Sequence, residues 1–180
     1  MPTTNFPPTA NASVSPGTGT YTAGSTDYNN LSDANDATQF ELDGDINATA
    51  LFPIGDMPTG FNTATSVTIN FRMRENTKGD IADLDFVQMM KADGSTALTP
   101  ASTTVSSSTL TSYTFTPGSL YYTSKADWDG AKIKIKNKTG TAETFWAELS
   151  VDITYSEDSP LPNGSGDPGD AFFLLAEDED

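Results

Sequence analysis

Apolar and polar residues alternate along several short segments of the chain, which is the pattern of β-strands with one buried face. The longest such segment covers residues 145–155, where every second residue from Phe145 to Tyr155 shares one face and Trp146 lies on the other. A second segment alternates over residues 67–73. The spacing therefore predicts that the face containing Phe145 is buried and that Trp146 lies on the polar face.

Further strands are predicted at shorter segments that turn residues separate. They are residues 38–42, 84–90, 113–115 and 132–138. In the last of them, four lysines alternate with Ile133 and Ile135, and we expect these lysines to guard either a sheet edge or the sheet surface against association with other strands. Residues 43–61 are rich in Pro, Gly and Asp, which predicts turns. No segment has the period of an amphipathic helix, so the pattern indicates an all-β, antiparallel β-sandwich of the jelly-roll type.

Both ends of the chain lack the strand pattern. Residues 1–35 are rich in Pro, Thr, Ala and Gly, and we predict an extended N-terminal arm there. Residues 36–156 form the predicted sandwich. Residues 157–180 form an acidic tail that contains one apolar block, Phe172–Leu175.

Charge and composition narrow the function classes. The chain has 25 acidic and 9 basic residues, a net charge of −16, and neither cysteine nor histidine. A nucleic-acid binder needs a cationic footprint, so this balance argues against one. Disulfides and thiolate metal sites are excluded, and the commonest general base is missing. No apolar run has the length that crosses a bilayer, so we expect no membrane partner.

No catalytic motif stands out in the sequence. Glycoside hydrolysis needs two carboxylates that face each other across a cleft, and no spacing among Glu41, Glu143 and Glu148 selects such a pair. The chain also lacks a nucleophile elbow, a phosphate loop and a metalloprotease motif. We therefore expect a protein that is not an enzyme and needs no cofactor.

One weak calcium candidate is present. Asp43, Asp45 and Asn47 have the alternating spacing of calcium-binding loops, but Ala48 stands where a loop of the helical-pair type needs glycine. A polar turn is the alternative interpretation of these residues.

Aromatic residues suggest a second kind of site. Aromatic rings stack on the apolar faces of sugar rings, and the candidates for such a glycan-binding site are Trp146, Trp128, Tyr121 and Tyr122. The alternative is that these rings cap the core or the ends of the sandwich.

The apolar block at the C-terminus is the most unusual feature of the sequence. An exposed patch such as Phe172, Phe173, Leu174, Leu175 promotes aggregation unless it has a binding partner. It either folds back on its own sandwich or docks on a neighbouring subunit, with the surrounding acidic residues as gatekeepers. We favour docking, together with Phe6, Pro7 and Pro8 of the N-terminal arm.

Several strand patterns carry a resemblance to a known class. They are Leu31–Thr38 leading into Phe40–Leu42, the strand Val67–Arg74, Ala126–Ile133, and the closing strand Glu148–Tyr155. Together they resemble jelly-roll structural proteins of tailed bacteriophages, over about 70% of the chain. The two predicted arms depart from that class.

The resemblance implies a virion protein that is assembled in the host cytoplasm. We expect a capsid decoration or cement protein whose arms bind the major capsid protein or other virion subunits, as a homo-oligomer on the particle. Repeated weak contacts would stabilise the shell through multivalency. The alternative is a tail or fibre component, or a carbohydrate-binding module, that contacts host glycans.

Overall fold

A computed structural model gives the structure of the protein, and most of the chain can be described. The described residues are 1–15, 19–21, 28–32, 36–42, 48–75, 84–102, 107–137 and 143–158. Within them, the strands are β1 (Thr3–Phe6), β2 (Ser13–Ser15), β3 (Gly19–Tyr21), β4 (Phe40–Leu42), β5 (Thr49–Pro53), β6 (Phe61–Glu75), β7 (Leu84–Met90), β8 (Thr111–Phe115), β9 (Lys132–Asn137) and β10 (Thr144–Glu157). A 3-10 helix covers Tyr28–Leu31, and the short helix α1 covers Lys125–Trp128.

The strands form two antiparallel sheets. Sheet A has the order β3-β4-β10-β6-β8, with β1 also paired to β10, and sheet B has the order β2-β5-β9-β7. The two longest strands, β6 and β10, pair along nearly their whole length in the middle of sheet A. The predicted all-β, antiparallel β-sandwich is confirmed.

The core lies between the two sheets. Alternate residues of β6, β9 and β10 point inwards, among them Ile69, Ile135 and Val151, all with no exposed surface. Phe40 of sheet A meets Phe52 of sheet B edge to face, with ring centroids 5.0 Å apart. Since the chain has no cysteine, burial of these apolar side chains is what holds the sheets together.

A β-bulge reverses the side-chain phase at the start of β10. Trp146 pairs with Met73 and Glu148 pairs with Arg72, so Ala147 is an extra residue in the ladder. Trp146 is therefore fully buried, and Phe145 is half-buried on the outer face. The prediction that Phe145 faces the core and Trp146 the polar side was wrong. Beyond the bulge, the predicted alternation holds as far as Tyr155.

The N-terminal residues belong to the sandwich, in contrast to the predicted arm over residues 1–35. Strand β1 pairs with β10 from Thr3↔Thr154 to Phe6↔Val151. Phe6 is only 9% exposed and joins the common core. A free edge of β10 explains this: it provides hydrogen-bond partners for a short strand whose own sequence has little strand signal.

In sheet B, one further prediction was wrong and one of the two alternatives for the lysines is excluded. Strand β5 lies within residues 43–61, where turns were expected, and it pairs with both β2 and β9. Strand β9 lies between β5 and β7, so Lys132, Lys134 and Lys136 project from a central strand rather than from an edge. They are half-buried beside their neighbours. Burial lowers the pKa of Lys134, and the nearby Lys136 adds to that effect.

Candidate functional site

An interruption in the edge of sheet A creates the most distinctive feature of its surface. Strand β4 pairs with residues 144–146 of β10, and β1 pairs with residues 151–154 of the same strand. Strand β6 occupies the opposite edge of β10. Residues 147–150 therefore lie in a gap between the ends of β1 and β4, where the 3-10 helix contacts β10.

A cleft of about 540 Å³ opens beside this gap. Its lining residues are Asn5, Pro7, Leu31, Ser32, Asn70, Glu148, Leu149 and Ser150. The volume falls within the range of roughly 300–1,000 Å³ that is typical of sites for small ligands. The lining combines amide, hydroxyl and carboxylate groups with an apolar wall that makes up the larger part of its surface.

A carboxylate fixes the two amides of the cleft. Asp152 lies in register with Asn5 of β1 and two residues beyond Ser150 on β10. Its Oδ1 accepts a hydrogen bond of 2.7 Å from Asn5 Nδ2, and its Oδ2 accepts one of 2.8 Å from Asn70 Nδ2. Asn5 Nδ2 also donates to Ser150 Oγ at 3.2 Å. Three strands thus hold their polar side chains in one network before any ligand arrives.

Two arginines of β6 follow Asn70, beyond the residues that line the cleft. Arg72 pairs in register with Glu148, and its Nη2 forms a 2.7 Å ion pair with Asp36. Its buried Nε has no hydrogen-bond partner among the described residues. One step further, the Arg74 guanidinium lies 4.0 Å above the centre of the Phe145 ring. The bulge in β10 is the reason that this ring faces outwards.

This arrangement is suited to binding a ligand that is rich in hydroxyl groups. The groups that line the cleft include both donors and acceptors, and all the polar ones except Ser32 stand on strands rather than on loops. Sites that are built on regular elements keep their geometry more accurately than sites on loops. The hydrogen bonds to Asp152 reduce the freedom that the two amides would lose on binding.

The tryptophans of the predicted glycan site are in the core. Trp146 is fully buried, and its Nε1 donates to Thr144 Oγ1 at 3.0 Å. Trp128 is fully buried too, and its Nε1 donates to the carbonyl oxygen of Tyr122 at 3.0 Å. Neither ring has an exposed face on which a sugar could stack. Tyr121 and Tyr122, in contrast, are 56% and 40% exposed.

The residues predicted to bind a partner through the arms have different positions. Phe6 and Pro8 are buried in the sandwich, and Pro7 lines the cleft. Phe172, Phe173, Leu174 and Leu175 lie outside the described residues, so docking of the tail remains a prediction.

The calcium candidate Asp43, Asp45 and Asn47 also lies outside the described residues. Elsewhere in the described part of the chain, no group of three or more acidic residues is arranged to hold a metal ion. In the same part of the chain, no helix has the length and apolarity for a bilayer crossing.

The sequence pattern does not reveal the cleft residues, because they occupy the polar positions of strands. Asn70, Glu148, Ser150 and Asp152 have the alternation of an ordinary solvent-facing surface. The available signal was the cluster of amide and acidic residues on the polar face of the two longest strands. Nothing in the sequence near Asn5 indicates that it joins this face, because β1 lies more than 140 residues away along the chain.

Comparison with known proteins places this geometry in context. No family model and no curated protein match the sequence. Among solved structures, the CBM22-1 xylan-binding domain of Paenibacillus barcinonensis Xyn10C is similar at 9% identity and a TM-score of 0.50, over 85% of this chain and 94% of that one. This likeness confirms the predicted jelly-roll-like sandwich.

Two other structures show weaker similarity. The enzymatically active domain of tailspike protein 4 of bacteriophage CBA120 has 14% identity and a TM-score of 0.44, over 85% of this chain and 19% of that one. The N-terminal cellulose-binding domain of Cellulomonas fimi β-1,4-glucanase C has 14% identity and a TM-score of 0.31, over 72% of this chain and 86% of that one.

Proposed function

We propose that the protein is a carbohydrate-binding domain without catalytic activity, and that its ligand occupies the cleft beside the gap in sheet A. The observation that carries this proposal is the pair of amides, Asn5 and Asn70, that Asp152 holds in place on neighbouring strands. They place fixed polar groups in a largely apolar cleft of about 540 Å³, a volume typical of sites for small ligands.

The hydrogen-bonding capacity of the cleft matches sugar hydroxyls, each of which donates one bond and accepts up to two. An amide nitrogen carries two hydrogens, and Asn70 gives one of them to Asp152, so the second is available to a ligand. The Glu148 carboxylate adds acceptors, and Pro7 and Leu31 add apolar contact. Since the amides are already ordered, binding costs less conformational entropy than it would for free side chains.

The fold agrees with this proposal without establishing it. One structure with the same fold is a xylan-binding domain. Because a fold can host many functions, we infer the function from the residues of the cleft. Capsid decoration has less support. The predicted role required apolar contacts from the arms to neighbouring subunits, and Phe6 was to make one of them. Phe6 is instead used in the core of its own sandwich.

The location of the domain is a separate part of the proposal. The resemblance of its strand patterns to phage structural proteins supports a place in the tail or fibre of a virion. Its partners there would be other virion subunits together with a glycan of the host surface.

A glycan microarray with plant, fungal and bacterial polysaccharides, followed by calorimetric titration of the glycans that bind, tests the proposal. We expect the wild-type chain to bind at least one glycan, and Asn70→Ala to weaken that binding at least tenfold. Asn62→Ala is the matched control, because Asn62 lies on the same strand but is exposed and outside the cleft. Failure of the wild type to bind any glycan, or equal binding by the Asn70→Ala variant, would contradict the proposal.

A further inference from the structure

Two adjacent tyrosines project from the loop between β8 and α1. Tyr121 is 56% exposed and Tyr122 is 40% exposed. Apart from Met1, no other large apolar side chain in the described part of the chain is exposed to this degree. An exposed aromatic pair in a sandwich whose other rings of described burial are buried or half-buried needs an explanation beyond the stability of the core.

The backbone beneath the two tyrosines is held firmly in place. Tyr121 N donates a 2.8 Å hydrogen bond to the carbonyl oxygen of Leu98, which follows β7. The carbonyl oxygen of Tyr122 accepts a 3.0 Å bond from the buried Trp128 indole. The loop is thereby attached to the segment after β7 and to α1. Rings on such a fixed backbone lose little conformational freedom when a ligand binds.

An ion pair orders the second ring. Lys91 Nζ lies 3.5 Å from the centre of the Tyr122 ring. The same ammonium group forms a 2.7 Å ion pair with Asp127, which also accepts a hydrogen bond from Ser124. The ring, the ammonium group and the carboxylate together have no net charge, although the whole chain carries −16. The Asp93 carboxylate also acts on this ammonium group, so the surface around the rings has no excess positive charge that would select an anionic ligand.

The tyrosines are separate from the cleft. Thr123 accepts a 2.8 Å backbone bond from Ala64 of β6, so the loop lies beside the first part of that strand. Asn70 of the cleft is on the same strand six residues further along. At roughly 3.3 Å per residue, the two points are about 20 Å apart. Neither tyrosine lines the cleft.

We propose that Tyr121 and Tyr122 form a second carbohydrate-binding surface, on which a neutral sugar ring stacks. The size of the surface favours a sugar over a protein partner. Two aromatic side chains bury together roughly 300–500 Å² at most, whereas a stable protein interface needs about 800 Å² on each side. The nearby ion pair and the Ser124 hydroxyl provide hydrogen-bond partners for the hydroxyl groups at the edge of the ring.

This inference rests on the ligand class of the proposed function and adds a second point of contact. A polymeric glycan that reaches both the cleft and the tyrosines would bind with avidity, since the second contact is intramolecular once the first is made. The two sites would then favour long or densely displayed glycans over short oligosaccharides.

The test uses the full chain and the same glycan microarray, with titration of soluble polysaccharides that bind. The variant Tyr121→Ala/Tyr122→Ala removes both rings, and Tyr121→Phe/Tyr122→Phe keeps the rings while removing their hydroxyls. We expect about tenfold weaker binding for the alanine variant, which corresponds to about 1.4 kcal/mol, and wild-type binding for the phenylalanine variant. Unchanged urea midpoints show that both variants fold.

The outcomes separate this inference from the cleft. If the alanine variant binds as the wild type does while Asn70→Ala loses binding, the tyrosine surface is wrong and the cleft is retained. If the alanine and phenylalanine variants lose binding equally, the tyrosine hydroxyls rather than the rings make the contact, and the proposed stacking is wrong. Loss in the alanine variant alone, with Asn70→Ala unaffected, supports the tyrosine surface and contradicts the cleft. Absence of glycan binding by the wild type overturns both.

Discussion

At the scale of single residues, the carboxylate of Asp152 organises the polar face of sheet A. It accepts hydrogen bonds from Asn5 and Asn70, which stand on the two strands that flank β10. Asp152→Ala leaves both amides without this acceptor, and we expect it to lower the free energy of unfolding by about 1–3 kcal/mol. Urea denaturation measures the change, and the exposed Asp56→Ala is the control. Equal stability of the two variants would contradict the described network.

The lowered pKa values of two other carboxylates determine how the free energy of unfolding depends on pH. Hydrogen bonds from Thr96, and then from Ser95, hold the pKa of Asp93 well below its ordinary value. A hydrogen bond from Lys91, followed by one from Ser124, lowers the pKa of Asp127. The unfolded chain therefore takes up protons at a higher pH than the folded chain does. Stability is retained above a pH of about 4 and is lost as the pH falls below it.

The variant Asp93→Asn checks this pH dependence. An asparagine oxygen can still accept the two backbone hydrogen bonds from Ser95 and Thr96, but the side chain does not titrate. We expect a shallower loss of stability between neutral and acidic pH, measured as urea midpoints across that range. A slope identical to that of the wild type would show that Asp93 does not contribute.

At the scale of elements, the bulge at Ala147 decides which aromatic residue of β10 is structural. Trp146 is fully buried, whereas Phe145 is half-buried beneath Arg74. We expect Trp146→Ala to cost about 3–5 kcal/mol, as large-to-small core substitutions do. Phe145→Ala should cost about 1 kcal/mol, the size of an exposed cation–π contact. Chemical denaturation of both variants tests which substitution costs more stability. A larger loss for Phe145→Ala would contradict the bulge and indicate that Phe145 faces the core.

Strand β1 provides a second test at this scale. Phe6 belongs to the core in the structure, so Phe6→Ala should lower the free energy of unfolding of the isolated protein by about 3 kcal/mol. Thr3→Ala, at an exposed position of the same strand, is the control. If Phe6 belonged to an arm that binds a neighbouring subunit, its replacement would leave the isolated protein as stable as before.

Some of these elements could be predicted from the sequence pattern and others could not. Alternation predicted β9, most of β10 and the part of β6 from residue 67 on, because their apolar residues repeat at every second position, whereas β7 was predicted from a short apolar run. It did not predict the bulge, which depends on the register of β10 against β6 rather than on β10 alone. It also did not predict β1, whose four residues are held by the free edge of a strand at the other end of the chain.

At the scale of the whole molecule, the sandwich is a scaffold that brings distant polar residues together. Asn5, Asn70 and Asp152 come from both ends and the middle of the chain, and pairing of β1 and β6 on either side of β10 makes them neighbours. Composition predicted an acidic protein that does not bind nucleic acid, but it gave no indication of this site. The aromatic candidates Trp128 and Trp146 were predicted to bind a glycan, but both are buried in the core. In a sequence with few apolar residues, large aromatic side chains are needed to fill the core.

The most direct test of the carbohydrate site is a titration of the ¹⁵N-labelled chain, followed by NMR, with the glycan that binds tightest on the array. The side-chain amide resonances of Asn5 and Asn70 report on the cleft itself, and the backbone amide of Ser150 lies between them. We expect the largest chemical-shift changes at these three residues. Changes confined to the outer face of sheet B, with the two side-chain amides unaffected, would contradict the proposed site.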